Sequence, residues 1–177
     1  MTPTLEQLLG ARARIAFRAV RDFRAGAAPG IDTTTPELDD EQREALEDYR
    51  CRAGTGDPYA QWIMGRAAER NLVSPSGVEA AEAWYAKAAA GGLAEAINDL
   101  AVARHRRCDP DPAVGEALIG DYGRAADDGL AEALCNLGLA FHHYRGYTGR
   151  AKGNVLFEEA AVEGVAEAER LRREPPP

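Results

Sequence analysis

The pentapeptide Gly92-Leu93-Ala94-Glu95-Ala96 returns unchanged as Gly129-Leu130-Ala131-Glu132-Ala133, and with one conservative change as Gly164-Val165-Ala166-Glu167-Ala168. Gly56-Asp57-Pro58-Tyr59-Ala60 fits the same frame more loosely, so the four glycines step by 36, 37 and 35 residues. That period is the one expected of a stacked two-helix repeat. In such an array each unit buries its apolar face only against its neighbours, and about three units are needed for stability. The chain has little more than that minimum, and arrays of this kind normally present a binding surface.

Aligning the copies on their glycines shows which positions the architecture constrains. A small residue (Gly65, Ala101, Gly138) follows a bulky apolar one (Met64, Leu100, Leu137), so one side chain fills the core and the next permits close helix approach. Tyr49, Tyr85, Tyr122 and Phe157 each stand seven residues before a repeat glycine, one aromatic spacer per unit. The small pairs Ala88-Ala89, Ala125-Ala126 and Ala160-Ala161 suit tight packing, and each closing glycine is free to take the left-handed conformation that ends a helix. Start signals accompany the pattern. Ser76 with Glu79 reads as a capping box, Asp111-Pro112 as a cap with a first-turn proline, and Thr148 as a further cap. Paired helices are predicted over 58–71 and 77–91, 93–107 and 112–128, and 130–145 and 149–163.

These residues resemble the Sel-one-like repeats, relatives of the tetratricopeptide repeat. The resemblance rests on the small residue after a bulky one (Leu137-Gly138), on the string Trp84, Tyr85, Lys87, Ala88, Ala89, and on the closing glycine before Ala-Glu-Ala. It covers residues 44–168, three full units and a preceding half. The chain departs from the family's pattern in its proline-containing inner loops at 70–76 and 107–112, and in Asp121 standing where the tryptophan would be. The resemblance implies an all-α fold, a right-handed superhelix of helix pairs with N-terminal capping helices. The domain organisation expected is an amphipathic helix and connector over 1–35, the repeat array over 36–168, and a helix end with a loose tail over 169–177.

Composition narrows the function. At 177 residues and 45% apolar content the chain can bury one substantial core. Twenty-nine acids against 21 bases give a formal charge of -8, which disfavours nucleic acid and anionic membrane as partners. No run approaches the length of a membrane helix and no signal sequence is readable, so a cytoplasmic location is expected. Cys51, Cys108 and Cys135 are too widely and irregularly separated for a disulfide framework or a zinc pattern. His105 and Cys108, with Asp109 and Asp111 nearby, have a spacing a metal could use, but the proline-flanked aspartates are better explained as caps. No metal and no cofactor is expected.

The flanks carry opposite charge. Residues 4–25 have an apolar stripe through Leu5, Leu8, Leu9, Ile15 and Phe23, with Arg14, Arg18 and Arg21 on another face, so a basic amphipathic helix is expected there. The reading preferred for it is a cover for the open end of the array rather than a membrane or nucleic-acid helix. The next helix, expected to start at Thr35-Pro36, holds seven acids and one arginine over 37–48.

No nucleophile, base or phosphate-loop constellation has useful spacing, which points away from an enzyme. His142 and His143 are adjacent on a helix and so diverge by about 100°. In related arrays the first helix of each unit lines the concave surface, so the resemblance places candidate groove residues at Trp62, Arg66 and Arg70, at Asn98, Asp99, His105 and Arg106, and at Asn136, Leu139 and His142, with Tyr59 and His143 beside them. The asparagines are suited to a peptide backbone, the arginines to a carboxylate, and Trp62 to anchoring. Two functions fit: an adaptor holding a peptide or protein in that groove, or an inhibitor or immunity-type protein whose acidic surface blocks a partner enzyme. Self-association through exposed repeat ends is a third reading.

Overall fold

The computed structural model describes residues 3–10, 35–107 and 111–176, without the side chains of Arg106 and Arg107. Among the described residues every regular element is a helix: α1 (Leu5–Leu9), α2 (Asp40–Gly54), α3 (Pro58–Glu69), α4 (Val78–Ala90), α5 (Ala94–Arg107), α6 (Pro112–Asp127), α7 (Ala131–Val162) and α8 (Ala166–Arg173). The fold is an all-α solenoid of paired helices, and the expected helix pairs are present. None of the described helices is long and apolar enough to cross a membrane. The described residues fall into two compact units, one extending to Leu100 and the other starting at Ala101.

Each helix pair is closed by the repeat glycine. Gly56, Gly92, Gly129 and Gly164 all have φ between +87° and +96° or, for Gly92, +83°. A side chain is strained in that region, which is why the frame is marked by glycine. The residue before the next helix is then bonded back across the turn, as when the Leu130 and Val165 amides donate to the Ala125 and Ala160 carbonyls at 3.1 and 3.0 Å.

In the first unit, α3 packs on α4 and on α2, around a core that includes Trp62, Ile63, Met64 and Tyr85. A β-carbon added at Gly65 would fall 2.6 Å from Tyr85 Cδ1, so the ring rests directly on the glycine backbone. In the second unit α6 packs on α7 and α7 on α8, around Val102, Leu118, Tyr122, Leu139 and Phe157. Gly138 repeats the arrangement, where an added β-carbon would meet Phe157 Cε1 at 2.6 Å. Ala101 and Tyr122, the matching pair of the middle repeat, are both fully buried in that second core.

α1 joins the first core through Leu5 and Leu9. Its Glu6 carboxylate accepts from the Tyr49 hydroxyl, and Gln42 Nε2 donates to the Pro3 carbonyl at 2.8 Å. The Tyr49 bond holds the Glu6 carboxyl below its usual range, while burial, then the Glu6 bond, raises the Tyr49 phenol. At the other end α8 buries Ala168 and Leu171. The bulky-small pair of the earlier first helices is replaced there by Arg172 and Arg173, both ion-paired to Glu169.

Several local expectations are corrected. The helix expected over 4–25 stops after Leu9, because Gly10 takes φ +60° and caps it; Arg14, Arg18 and Arg21 lie outside the described residues. α2 starts not at Thr35-Pro36 but after Asp39, whose side chain accepts from the Gln42 amide in a capping box. Ser76 makes no capping box. Gly77 is the cap residue, with φ +93° and its amide donating to the Ala68 carbonyl at 2.8 Å, so a backbone tie sets that entry. Thr148 does not cap either; its hydroxyl donates to the Arg145 carbonyl, and the break in α7 is made by Gly146 at φ +50°, ψ -135°. Asp111-Pro112 starts α6 as expected, the carboxylate accepting from the Ala113 amide at 2.9 Å.

Two glycines test the packing rule. Gly120, exposed on α6 with open space where a β-carbon would go, should gain about 0.5–1 kcal/mol of stability on Gly120→Ala through helix propensity. Gly65→Ala should lose about 1–3 kcal/mol by overpacking against Tyr85. Urea denaturation of the two variants measures both signs.

Candidate functional site

The residues expected to line a groove sit on α3, α5 and the leading arm of α7, and the structure turns most of them inward. Trp62, Arg66, Asn98, Asp99, His105, Asn136, Leu139 and His142 are buried. Arg70 is half-buried, and the Arg106 side chain lies outside the described residues. Trp62 and Asn98, expected to face a partner, are enclosed, because the polar groups along these helices meet partners from other turns and other helices.

In the first unit they converge on one carboxylate. Asp99, on α5, accepts from Trp62 Nε1 at 2.8 Å and from Arg66 Nη2 at 2.9 Å on the same oxygen, and from Asn98 Nδ2 at 3.3 Å on the other. Trp62 and Arg66 are one turn apart on α3, which puts both on the face toward α5, with the guanidinium 5.2 Å from the indole centroid. A charge pair this enclosed is retained by its geometry and its additional hydrogen bonds. Further along α3, Glu69 accepts from the Tyr85 hydroxyl at 3.0 Å. Sequence reading missed Glu69; its one signal is its place seven residues after Trp62, on the same helix face. Tyr59 remains accessible, 37% exposed, with its ring 5.5 Å from Trp62 and 6.2 Å from Tyr49.

In the second unit the histidines separate as their spacing requires. His142 stacks on Phe157, centroids 5.4 Å apart, and its Nε2 lies 2.9 Å from Asn154 Oδ1. His143 turns toward Tyr144 and His105, with centroids 4.6 and 5.7 Å away. His105 Nδ1 is 3.3 Å from the Tyr122 hydroxyl, and its buried Nε2 has no hydrogen-bond partner among the described residues. Burial, and secondarily His143, push the His105 pKa down to about 4. Cys135 is buried, and its thiol is pushed up to about 12 by burial, with smaller contributions from Glu167 and Glu132. Cys108 and Asp109 lie outside the described residues. No group of three or more potential metal-ligating side chains occurs among the described residues.

No family model matches the chain, and no curated protein matches it. Among solved structures, the crystal structure of a Sel1 repeat protein from Oxalobacter formigenes is similar, with a TM-score of 0.54 and 26% sequence identity over 74% of this chain and 98% of that one.

Two predictions come from these clusters. Asp99→Leu should cost about 3–5 kcal/mol, because Arg66 loses its buried counter-ion, and the double variant Asp99→Leu with Arg66→Met should recover much of that loss; equilibrium unfolding of the set decides it. His105 is neutral in the fold and protonates freely when unfolded. The unfolded chain therefore binds the extra proton as pH falls below about 6.5, and stability should drop by roughly 2–3 kcal/mol between there and pH 4. His105→Gln should flatten the pH 6.5–5 part of that fall, read as urea midpoints against pH.

Proposed function

We propose that this chain, whose fold is that of the Sel1-like repeats, is a non-enzymatic adaptor or scaffold that holds a peptide or another protein along its first helices. The observation that carries the reading is the fold itself, a type of array that serves protein interaction, combined with a polar and aromatic line on α3 and the start of α5 within the first unit. Within that line the buried members, Trp62, Arg66, Asn98 and Asp99, fix the helix faces. Contact with a partner falls to the members of the first unit that remain accessible, Tyr59 and Arg70. Tyr59 takes the anchoring part first assigned to Trp62, since a ring held between Tyr49 and Trp62 loses little freedom on binding. A cytoplasmic location agrees with the free cysteines Cys51 and Cys135.

The inhibitor reading has less support. The acidic face of α2 is partly neutralised by its own arginines, with Arg43 paired to Asp40, Arg50 to Glu47 and Arg52 to Asp48.

Affinity capture from the native host separates the two. With an adaptor, several proteins are retained by the wild type and lost together in Tyr59→Ala with Arg70→Ala, while reversing Asp40, Glu41, Glu44, Glu47 and Asp48 changes little. Retention of a single enzyme, inactivated by the protein and released by the α2 charge reversal, would replace the adaptor reading with the inhibitor one. Trp62→Ala is unsuitable for this purpose because the ring is part of the core.

A further inference from the structure

Tyr85 and Tyr122 hold the same place in successive repeats, but the residues before them differ: Trp84 in one, Asp121 in the other. Trp84 is half-buried, packs with Ala80 against the first core, and has the Lys87 ammonium 4.3 Å from its ring centroid. In the second repeat the same place holds a carboxylate that accepts from Arg124, the counterpart of Lys87, at 2.5 Å and from Arg104 at 3.4 Å.

Beside Asp121 is an open depression of about 400 Å³, with a floor of Ala113, Val114, Ala117 and Leu118 and with Arg104 and Asp121 at its edge. A helical side chain lies over the turn N-terminal to its own Cα. An indole at position 121 would therefore cover Ala117 and Leu118, which form part of the floor. The depression is thus the place that the preceding repeat fills with its own tryptophan. Its volume is within the range of small ligand sites, about 300–1,000 Å³.

The edge carries a charge to match. One carboxylate shared by two guanidiniums leaves an excess of positive charge. Of the other acids on or beside α6, Glu116 is paired to Arg145, and Asp111, which caps the helix, is ten residues from Asp121, about 15 Å along the axis.

We propose that this depression is a docking site for an aromatic side chain of a partner protein, a tryptophan above all, carried next to an acidic residue. The ring lies on the alanine and leucine floor with Arg104 against its face, a cation contact of the kind that Lys87 makes to Trp84 from its own helix, and the neighbouring carboxylate bonds Arg104 and Arg124. Of these residues only Arg104 is on a first helix, and it is not one of the contact positions Tyr59 and Arg70, so the proposal stands or falls apart from the adaptor reading above.

The test uses the full chain, methyl-labelled, and a capped peptide carrying one tryptophan followed by two aspartates. Its control is the same peptide with alanine for tryptophan. Saturable shifts should be confined to the methyls of Ala113, Val114, Ala117 and Leu118, with the alanine peptide at least tenfold weaker. Asp121→Trp, which supplies the ring from within the chain, should weaken the peptide at least tenfold. Ala117→Leu, an exposed position that raises the floor without entering the core, should do the same, and Arg104→Gln should cost several-fold. The proposal is overturned if the native chain shows no saturable shift at these methyls, if the alanine peptide binds as tightly, or if folded Ala117→Leu binds the tryptophan peptide undiminished.

Discussion

The structure depends on the contact between a side-chain-free position on one helix and an aromatic ring on the next. Tyr85 lies on Gly65 and Phe157 on Gly138, where the Gly153 carbonyl is a second close neighbour, so within a repeat the ring rests directly on the facing helix backbone. The rest follows from that contact. The bulky residue before each glycine packs on the core, Met64 within it and Leu137 at its margin, and the alanine pair after each ring lets the second helix lie close. The positive-φ glycine then reverses the chain where the pair ends. A glycine inside a helix costs roughly 0.5–1 kcal/mol of propensity, a cost offset by burying a whole aromatic side chain against it.

Because that interlock sets the helix faces, it also decides what becomes of the polar residues beside it. Trp62, Arg66 and Asp99 are brought together inside the first unit, and His105 and Tyr122 inside the second, with the half-buried His143 and Tyr144 beside His105. These clusters tie helices together within each unit rather than forming a ready-made open cleft. In the scaffold proposed above, such clusters would support a small number of accessible anchors. A surface ordered before binding loses less entropy when a partner arrives.

The fold was legible in the sequence to the extent that its rules are local or periodic. The glycine frame, the aromatic seven residues ahead of it and the cap at Asp111 all depend on short spacings, and each is found as read. Ser76 and Thr148 were misread because a hydroxyl cap competes with backbone ties, Gly77 to Ala68 in one case and the Gly146 break in the other, that spacing does not reveal. The groove residues failed to appear as an open line for a different reason. Asn98 and Asp99 read as polar and therefore outward. Asp99 is inward because its partner Trp62 is 37 residues away on another helix, a pairing no periodicity displays. Asp121 is legible as the break in the Trp-Tyr string, yet the depression beside it on α6 depends on packing between helices that spacing does not display.

The central claim is an energetic coupling between the small residue and the ring, and a double-mutant cycle on Gly138 and Phe157 measures it most directly. Gly138→Ala, Phe157→Leu and the double variant are compared with the wild type by equilibrium unfolding. A shared contact predicts that the alanine costs more beside Phe157 than beside leucine, where the Gly153 carbonyl still presses on it, with a coupling of about 1 kcal/mol or more. Additivity within about 0.3–0.5 kcal/mol would mean that the two residues do not press on one another, and would contradict the account.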